Sequence, residues 1–222
     1  MDMDRRSVPF ADLTLREFTG ILASSQPVPG GGSAAAVAGA LAASLVEMVA
    51  SLSLGRARFE DYQDTLERGG QMGRNLNEQF LSLADRDARA YAAYSAALKL
   101  PRDSAEQQAA RAETMAAAAK AAAEVPWECV RACTELAVTA ESLAGRSNAN
   151  AASDLLVAAL LAEAGARGAA ENVRVNLPGS GDEEYAETMQ RQLDEALHDV
   201  ASLTSRTREV ILSGRTREPE EE

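Results

Sequence analysis

The chain has 222 residues, 46% of them hydrophobic but only 4% aromatic, and a formal net charge of −12. That length suits one large domain or two small ones, and the apolar share suffices for a core. The acidic balance offers no general basic face for phosphate backbones, so nucleic acid is not an expected partner.

Alanine dominates long stretches, and long runs of Val, Ile or Thr are scarce, so helices are expected and strands are not. The predicted fold is all-α: a single bundle-like helical domain over residues 1–222, with a charged, disordered tail from about residue 214. Cys129 and Cys133 stand one helical turn apart. They are too few for a secreted disulfide scaffold, and with the lone His198 far away they form no zinc-like ligand set. Both read as reduced helix residues.

Met1 to Arg6 leads into no apolar stretch, so no signal peptide is expected and the expected location is cytoplasmic. The first helix is predicted from about Asp12 to Ser24, capped by Asp12 or Thr14, with Leu15, Phe18, Ile21 and Leu22 facing inward. Two prolines and three glycines then form Pro27-Val28-Pro29-Gly30-Gly31-Gly32, and Ser33 is the predicted N-cap of the next helix. That helix, Ser33 to Leu54, is apolar nearly all round, with Glu47 its only charge. Its Ala, Ser and Gly content makes a buried helix the expectation rather than a membrane span. Ala35, Gly39 and Ala43 recur every four residues and should let another helix come close, one from a second subunit included. Gly55 is the predicted C-cap.

A long helix is predicted over about Asp61 to Leu98, loosened near Gly69, Gly70 and Gly73. Another follows from about Ser104 to Ala144, kinked or broken at Pro126. After the polar stretch Arg146 to Asn150 comes an apolar helix over Ser153 to Ala164. A helical or irregular segment then reaches Leu177, a loop follows at Pro178 to Gly181, and the last helix spans about Asp182 to Leu212.

Within the third helix, Leu76, Phe80, Leu83, Asp87, Tyr91, Tyr94 and Leu98 are spaced by threes and fours and share one face. Asp85, Arg86 and Arg89 point elsewhere, as solvated residues. Asp87 is the acid on an otherwise apolar stripe. Desolvation raises a carboxyl pKa, which suits proton exchange near neutrality; the alternative is a core carboxylate paired with an arginine or capping a loop.

The Gly30, Gly31, Gly32 and Ser33 loop could admit an anion or a close-lying ligand, or be only a tight turn beside a packed subunit. It lacks the Lys of a phosphate-binding P-loop and any strand context for a dinucleotide. Arg56 and Arg58 could hold an anionic substrate tail if they face the same cleft as Asp87, or be solvated residues at a helix end. Asn148, Asn150, Ser153 and Asp154 read either as a helix-capping network or as substrate contacts.

The chain resembles the cyclodeaminase half of formiminotransferase-cyclodeaminase and the stand-alone methenyltetrahydrofolate cyclohydrolases of that family, from about Leu15 to Leu212. The resemblance rests on Pro29-Gly30-Gly31-Gly32-Ser33 leading into the Ala-rich helix, Gly55-Arg56, Asp87-Ala88-Arg89-Ala90-Tyr91, Leu100-Pro101, Val125-Pro126, the Asn148 to Asp154 segment, and Asn172-Val173-Arg174-Val175-Asn176. It departs from the family pattern where Ala57 interrupts the basic run after Gly55 and where Glu47 stands in place of a small neutral residue.

The resemblance implies an all-helical enzyme acting on a tetrahydrofolate derivative, with Asp87 catalytic. It implies substrate contacts from Gly30, Gly31, Gly32, Ser33, Arg56, Arg58, Tyr91, Asn148 and Asp154. It further implies a homodimer or higher homo-oligomer, no metal, no cofactor beyond the tetrahydrofolate carrier, and no membrane partner. A helical folate-binding or scaffold protein that has lost turnover is the alternative, favoured if Asp87 faces solvent or the cleft is blocked.

Overall fold

The computed structural model describes residues 8–219, and among these the regular structure is helical. Six α-helices follow in chain order: α1 (Leu15–Leu22), α2 (Gly31–Ser51), α3 (Gln63–Ala97), α4 (Ala105–Leu143), α5 (Ala152–Asn176) and α6 (Glu183–Ser213), with short 3₁₀ turns at Phe10–Asp12, Ala57–Tyr62, Ala149–Ala151 and Leu177–Ser180. Helices α2 to α6 run alternately up and down, so each end of the bundle gathers opposite termini.

Helix α1 is shorter than expected because Thr14, not Asp12, caps it: the Thr14 hydroxyl accepts from Glu17 N–H while the Glu17 side chain reaches back to Thr14. Of its predicted inner face only Phe18 is buried, meeting Phe10 edge-on at 5.7 Å, and Leu15 is exposed.

Helix α2 is central, as expected, packed against α3, α4 and α5. Its start differs from expectation. The N-cap is Gly30, and Gly31, Gly32 and Ser33 lie inside the first turn. At the other end Leu52 is the C-cap, and Gly55 (φ 71°) turns the chain a few residues later.

Small residues let the neighbouring helices reach the backbone of α2. A methyl group on Gly39 would stand 2.5 Å from Phe80 Cε1 of α3, and one on Gly73 of α3 would stand 2.9 Å from Ala43 O and Glu47 N. One on Gly165 of α5 would stand 3.1 Å from Ala35 O. The row Ala35, Gly39, Ala43 is therefore consumed inside the chain rather than offered to a second subunit. The glycines of α3 do not loosen it either: the helix is continuous, and Gly69 fits under Leu143. Glu47 pairs with Arg74 at 3.2 Å. Both cysteines are free and buried.

Pro126 lies within α4, which neither breaks nor ends there. A proline has no N–H for the carbonyl four residues earlier, here Ala122. Asn176 supplies the missing donor: its Nδ2 lies 3.0 Å from Ala122 O and 2.8 Å from Asn172 O. Helix α5 likewise runs unbroken to Asn176 through the stretch expected to be partly irregular.

The tail is held rather than free up to the last described residues. Arg217 N–H donates to Gly145 O, Arg217 Nη1 to Glu141 O and Oε1, Tyr62 Oη to Arg217 O, and Arg146 Nε to Glu218 O. Residues 215–219 carry no regular structure beyond these contacts, and residues 220–222 of the expected disordered tail lie outside the described part.

The packing sets the outcome of three substitutions. Gly73→Ala should cost about 1–3 kcal/mol, because backbone atoms must move to admit the methyl. Gly20→Ala in exposed α1, where nothing lies within 4 Å, should gain roughly 0.5–1 kcal/mol from helix propensity. Asn176→Ala should cost about 1–3 kcal/mol by leaving a buried carbonyl without its donor. Adding Pro126→Ala, which restores a backbone donor, should return part of that loss in a double-mutant cycle read by chemical denaturation.

Candidate active site

The predicted stripe on α3 passes from core to surface. Leu76, Phe80 and Leu83 are buried, Asp87 is half-buried, and Tyr91 and Leu98 are about half exposed, at 46% and 45%. Asp87 therefore sits where the bundle opens, at the end formed by the start of α2, the outer part of α3 and the end of α5. Between Ala97 and Ala119 no residue is buried, so the tips of α3 and α4 stand beside this opening as a hairpin.

The carboxylate is held by the first turn of α2. Ser33 Oγ lies 3.0 Å from Asp87 Oδ2 and 3.0 Å from Ala84 O, and the Ser33 backbone N–H also bonds the carboxylate. Gly32 is what lets Asp87 come this near: a Cβ there would overlap Oδ1 and stand 2.6 Å from Cγ. Ser33 is thus not the helix cap expected from its position, but a fully buried partner of the acid. Burial pushes the Asp87 carboxyl above the ordinary aspartate range, and the two bonds from Ser33 pull it part of the way back.

Three neighbours were not visible as site residues in the sequence. Asn172 of α5 reaches the same turn, its Nδ2 3.5 Å from the Cβ position of Gly31 and bonded at 2.8 Å to Gly168 O. Arg86, adjacent to Asp87 in the chain, and Glu128 of α4 form a two-pronged pair at 2.6 Å on both arms. Arg86 draws the Glu128 carboxyl below its usual value. Neither Arg86 nor Asp85, which accepts Phe10 N–H at 2.9 Å, is the simply solvated residue expected. The repeated Asn of Asn172 and Asn176, one turn apart on one helix face, was the signal that could have marked α5 as a wall of this site.

The remaining predicted residues lie elsewhere. Helix α2 has 21 residues, a length of about 30 Å, with Ser33 at one end and Arg56 and Arg58 past the other. Arg58 donates to Asn148 Oδ1 at 2.9 Å and lies 4.5 Å over the Phe59 ring. Asn148 N–H donates to Ser53 Oγ at 2.8 Å, and Asn148 Oδ1 also caps Asn150 N–H. Asp154 is on the first turn of α5 at this same far end. Within one chain, Arg56, Arg58, Asn148 and Asp154 therefore cannot share a ligand-sized cleft with Asp87, and Asn148 acts as the capping residue of the alternative reading. Asp87, Gly32 and Ser33 do come together, with Gly30 and Gly31 at the same helix start and Tyr91 one turn beyond Asp87 on α3.

A half-buried carboxyl of raised proton affinity, at an opening with glycine backbone on one side and a carboxamide on another, can exchange a proton with a bound ligand.

A family model described as formiminotransferase-cyclodeaminase matches residues 14–195. The chain is 38% identical over 200 residues to the methenyltetrahydrofolate cyclohydrolase of Methylorubrum extorquens, covering 90% of this chain and 96% of that protein. It is 34% identical over 188 residues to the formimidoyltransferase-cyclodeaminase of Mus musculus, covering 85% of this chain and 35% of that longer protein. The crystal structure of formiminotetrahydrofolate cyclodeaminase from Thermotoga maritima matches with a TM-score of 0.83 at 30% identity, over 91% of this chain and 98% of that one. Sequence match from the cap of α1 into α6, and structural match over nearly the whole chain, agree: the protein belongs to the formiminotransferase-cyclodeaminase family.

Proposed function

We propose that the chain is a folate one-carbon enzyme that opens the methenyltetrahydrofolate ring with water, using Asp87 as acid/base. The observation that carries this reading is the Asp87 carboxyl itself, half-buried, raised in proton affinity and fixed by Ser33 at an open bundle end. A carboxylate facing bulk solvent would have favoured the scaffold alternative.

In the ionised state Asp87 accepts a proton as water attacks the cationic methenyl carbon. The resulting hydroxyl adduct then breaks one C–N bond. Asp87 returns its proton to the departing nitrogen, and the hydroxyl proton goes to solvent as the formyl C=O forms. The negative charge beside the site also favours the cationic substrate. The one-carbon unit travels on tetrahydrofolate, and these steps call for no further cofactor. The 38% identity to the bacterial cyclohydrolase supports the hydrolytic reaction. The Thermotoga maritima neighbour favours a second one, in which a folate nitrogen attacks a formimino carbon and ammonia leaves. Both pass through the same cyclic cation, and an ammonia assay separates them.

The reading includes a homodimer. Leu41 and Met48 on α2, Leu52 at its C-cap, and Val157 and Leu160 on α5 are exposed, and these two helices are neighbours. A two-fold axis near the middle of α2 would lay one copy's Arg56 end beside the other copy's Asp87 end. This supplies the positive charge that an anionic glutamate tail needs near a protein of net charge −12.

Asp87→Asn should lower kcat by at least about a hundredfold while leaving helix content and assembly intact. An acid whose folded pKa is raised holds extra protons in the folded state, so its contribution to stability falls as pH rises from its unfolded pKa to its folded one. Asp87→Asn removes that loss and should melt no lower than the parent at pH 8. A fully active, well-folded Asp87→Asn protein would end the assignment.

Arg56→Ala should raise KM more for polyglutamylated than for tail-less folate. Co-refolding Arg56→Ala with Asp87→Asn should restore activity at low polyglutamylated substrate, since one mixed site keeps both groups. No recovery, or a monomer in solution scattering, rules out the shared site.

A further inference from the structure

Ser33 Oγ stands 3.0 Å from two acceptors, Asp87 Oδ2 and Ala84 O. A hydroxyl carries one proton, so it can make a full, linear hydrogen bond to only one of them at a time. The side chain is fully buried, and no water is needed to account for its partners. From this geometry we propose that Ser33 is a positioning residue, a hydroxyl rotor that gives Asp87 a matched hydrogen bond in both of its protonation states. The proposal rests on Asp87 as the proton-transfer group described above.

When Asp87 is ionised, the Ser33 hydroxyl points its proton at Oδ2. When Asp87 has taken up a proton on Oδ2, its O–H turns about the C–O bond to donate to Ser33 Oγ, and turns back toward the ligand when the proton is returned. The Ser33 proton swings to the Ala84 carbonyl. Ser33 neither gains nor loses a proton in the exchange; one C–O torsion changes on each of the two side chains, and each state has its donor and acceptor satisfied. The Ser33 backbone amide also favours the ionised carboxylate. Fixing α2 and α3 together at this point keeps the movement to hydrogens, so the acid cycles without shifting a heavy atom.

Other ionisable groups near Asp87 are committed elsewhere. Asp85 holds Phe10 N–H, Arg86 holds Glu128, and Arg174 holds Glu171 and Asp194. The first turn of α2 carries no ionisable side chain. On α5 the group at this turn is the neutral Asn172, and on α4 Arg131 lies over Trp127. Arg89 and Tyr91, on α3 itself, are exposed. The rotor is therefore the side-chain contact that answers to the Asp87 proton.

A hydrogen bond to the charged form is worth more than one to the neutral form, so losing the hydroxyl should raise the Asp87 pKa by about half to one unit. The experiment is a carboxyl carbon-13 NMR titration of the full chain, with the Asp87 signal identified by its absence in Asp87→Asn. The ascending limb of the kcat/KM pH profile for methenyltetrahydrofolate is measured alongside. Ser33→Ala should move both upward by that amount, and Ser33→Cys, with its weak donor, should move them part of the way. If Ser33→Ala fails to fold, Ser33→Cys carries the test. A folded Ser33→Ala protein whose Asp87 titration stays in place or moves down overturns the rotor. The NMR reading does not depend on turnover. A moved titration with an active Asp87→Asn protein would leave the rotor standing and remove the catalytic role; an unmoved one with an inactive Asp87→Asn protein would do the reverse.

Discussion

The structure depends on how closely α3 and α5 can approach the backbone of α2. A central helix with large side chains would hold its neighbours 8–10 Å away at their axes. Here glycine and alanine on all three helices remove that spacing, and ring, carbonyl and amide meet directly, as at Gly39 with Phe80 and Gly73 with Ala43. The close approach fixes the rotation of α3 about its axis as well as its distance, because only one face presents Gly69, Gly70 and Gly73.

That rotation places the acid. Asp87 lies fourteen residues beyond Gly73, close to four full turns, so the face that grips the middle of α2 returns at its first turn. Gly32 and Ser33 are there to receive it, one by having no side chain and the other by having a short polar one. The site is thus a continuation of the core packing to the point where the bundle opens. Its proton affinity follows from the same fact, since a carboxyl carried into the edge of a packed interface loses water before it gains a charged partner.

Helix content, the central position of α2, the close crossing at Gly39 and the exceptional status of Asp87 were legible because each depends on local composition or on a 3.6-residue period. The misread points share a different cause. Pro126 looked like a break because the donor that replaces its missing N–H belongs to Asn176, fifty residues on. Gly69, Gly70 and Gly73 looked like weak points because the atoms that fill the space beside them come from α2 and α4. Ser33 looked like a cap because glycine at position 30 carries no side chain to announce itself as one. Arg56 and Arg58 are a different case: α2 separates them from Asp87 within one chain, so only a second copy can bring them to it. Linear patterns report what a residue prefers, while these cases turn on what a distant segment brings to it.

A core built from alanine and glycine has an uneven response to change. Ala36, Ala42, Ala43, Ala137, Ala158, Ala162, Ala166 and Ala170 are all at most 1% exposed. These side chains have no rotamers to give up on folding, so ordering them costs backbone entropy alone. They also have almost nothing to lose by truncation, since removing a single methyl leaves a hole too small to matter much beside the helix-propensity penalty. Growth is another matter, because no flexible neighbour can fold away from an added atom. Where α2 meets α3 and α5 the alanine and glycine positions are therefore tolerant of deletion and intolerant of addition, the reverse of the buried leucines elsewhere in the core, and the sequence there can drift only among the smallest residues.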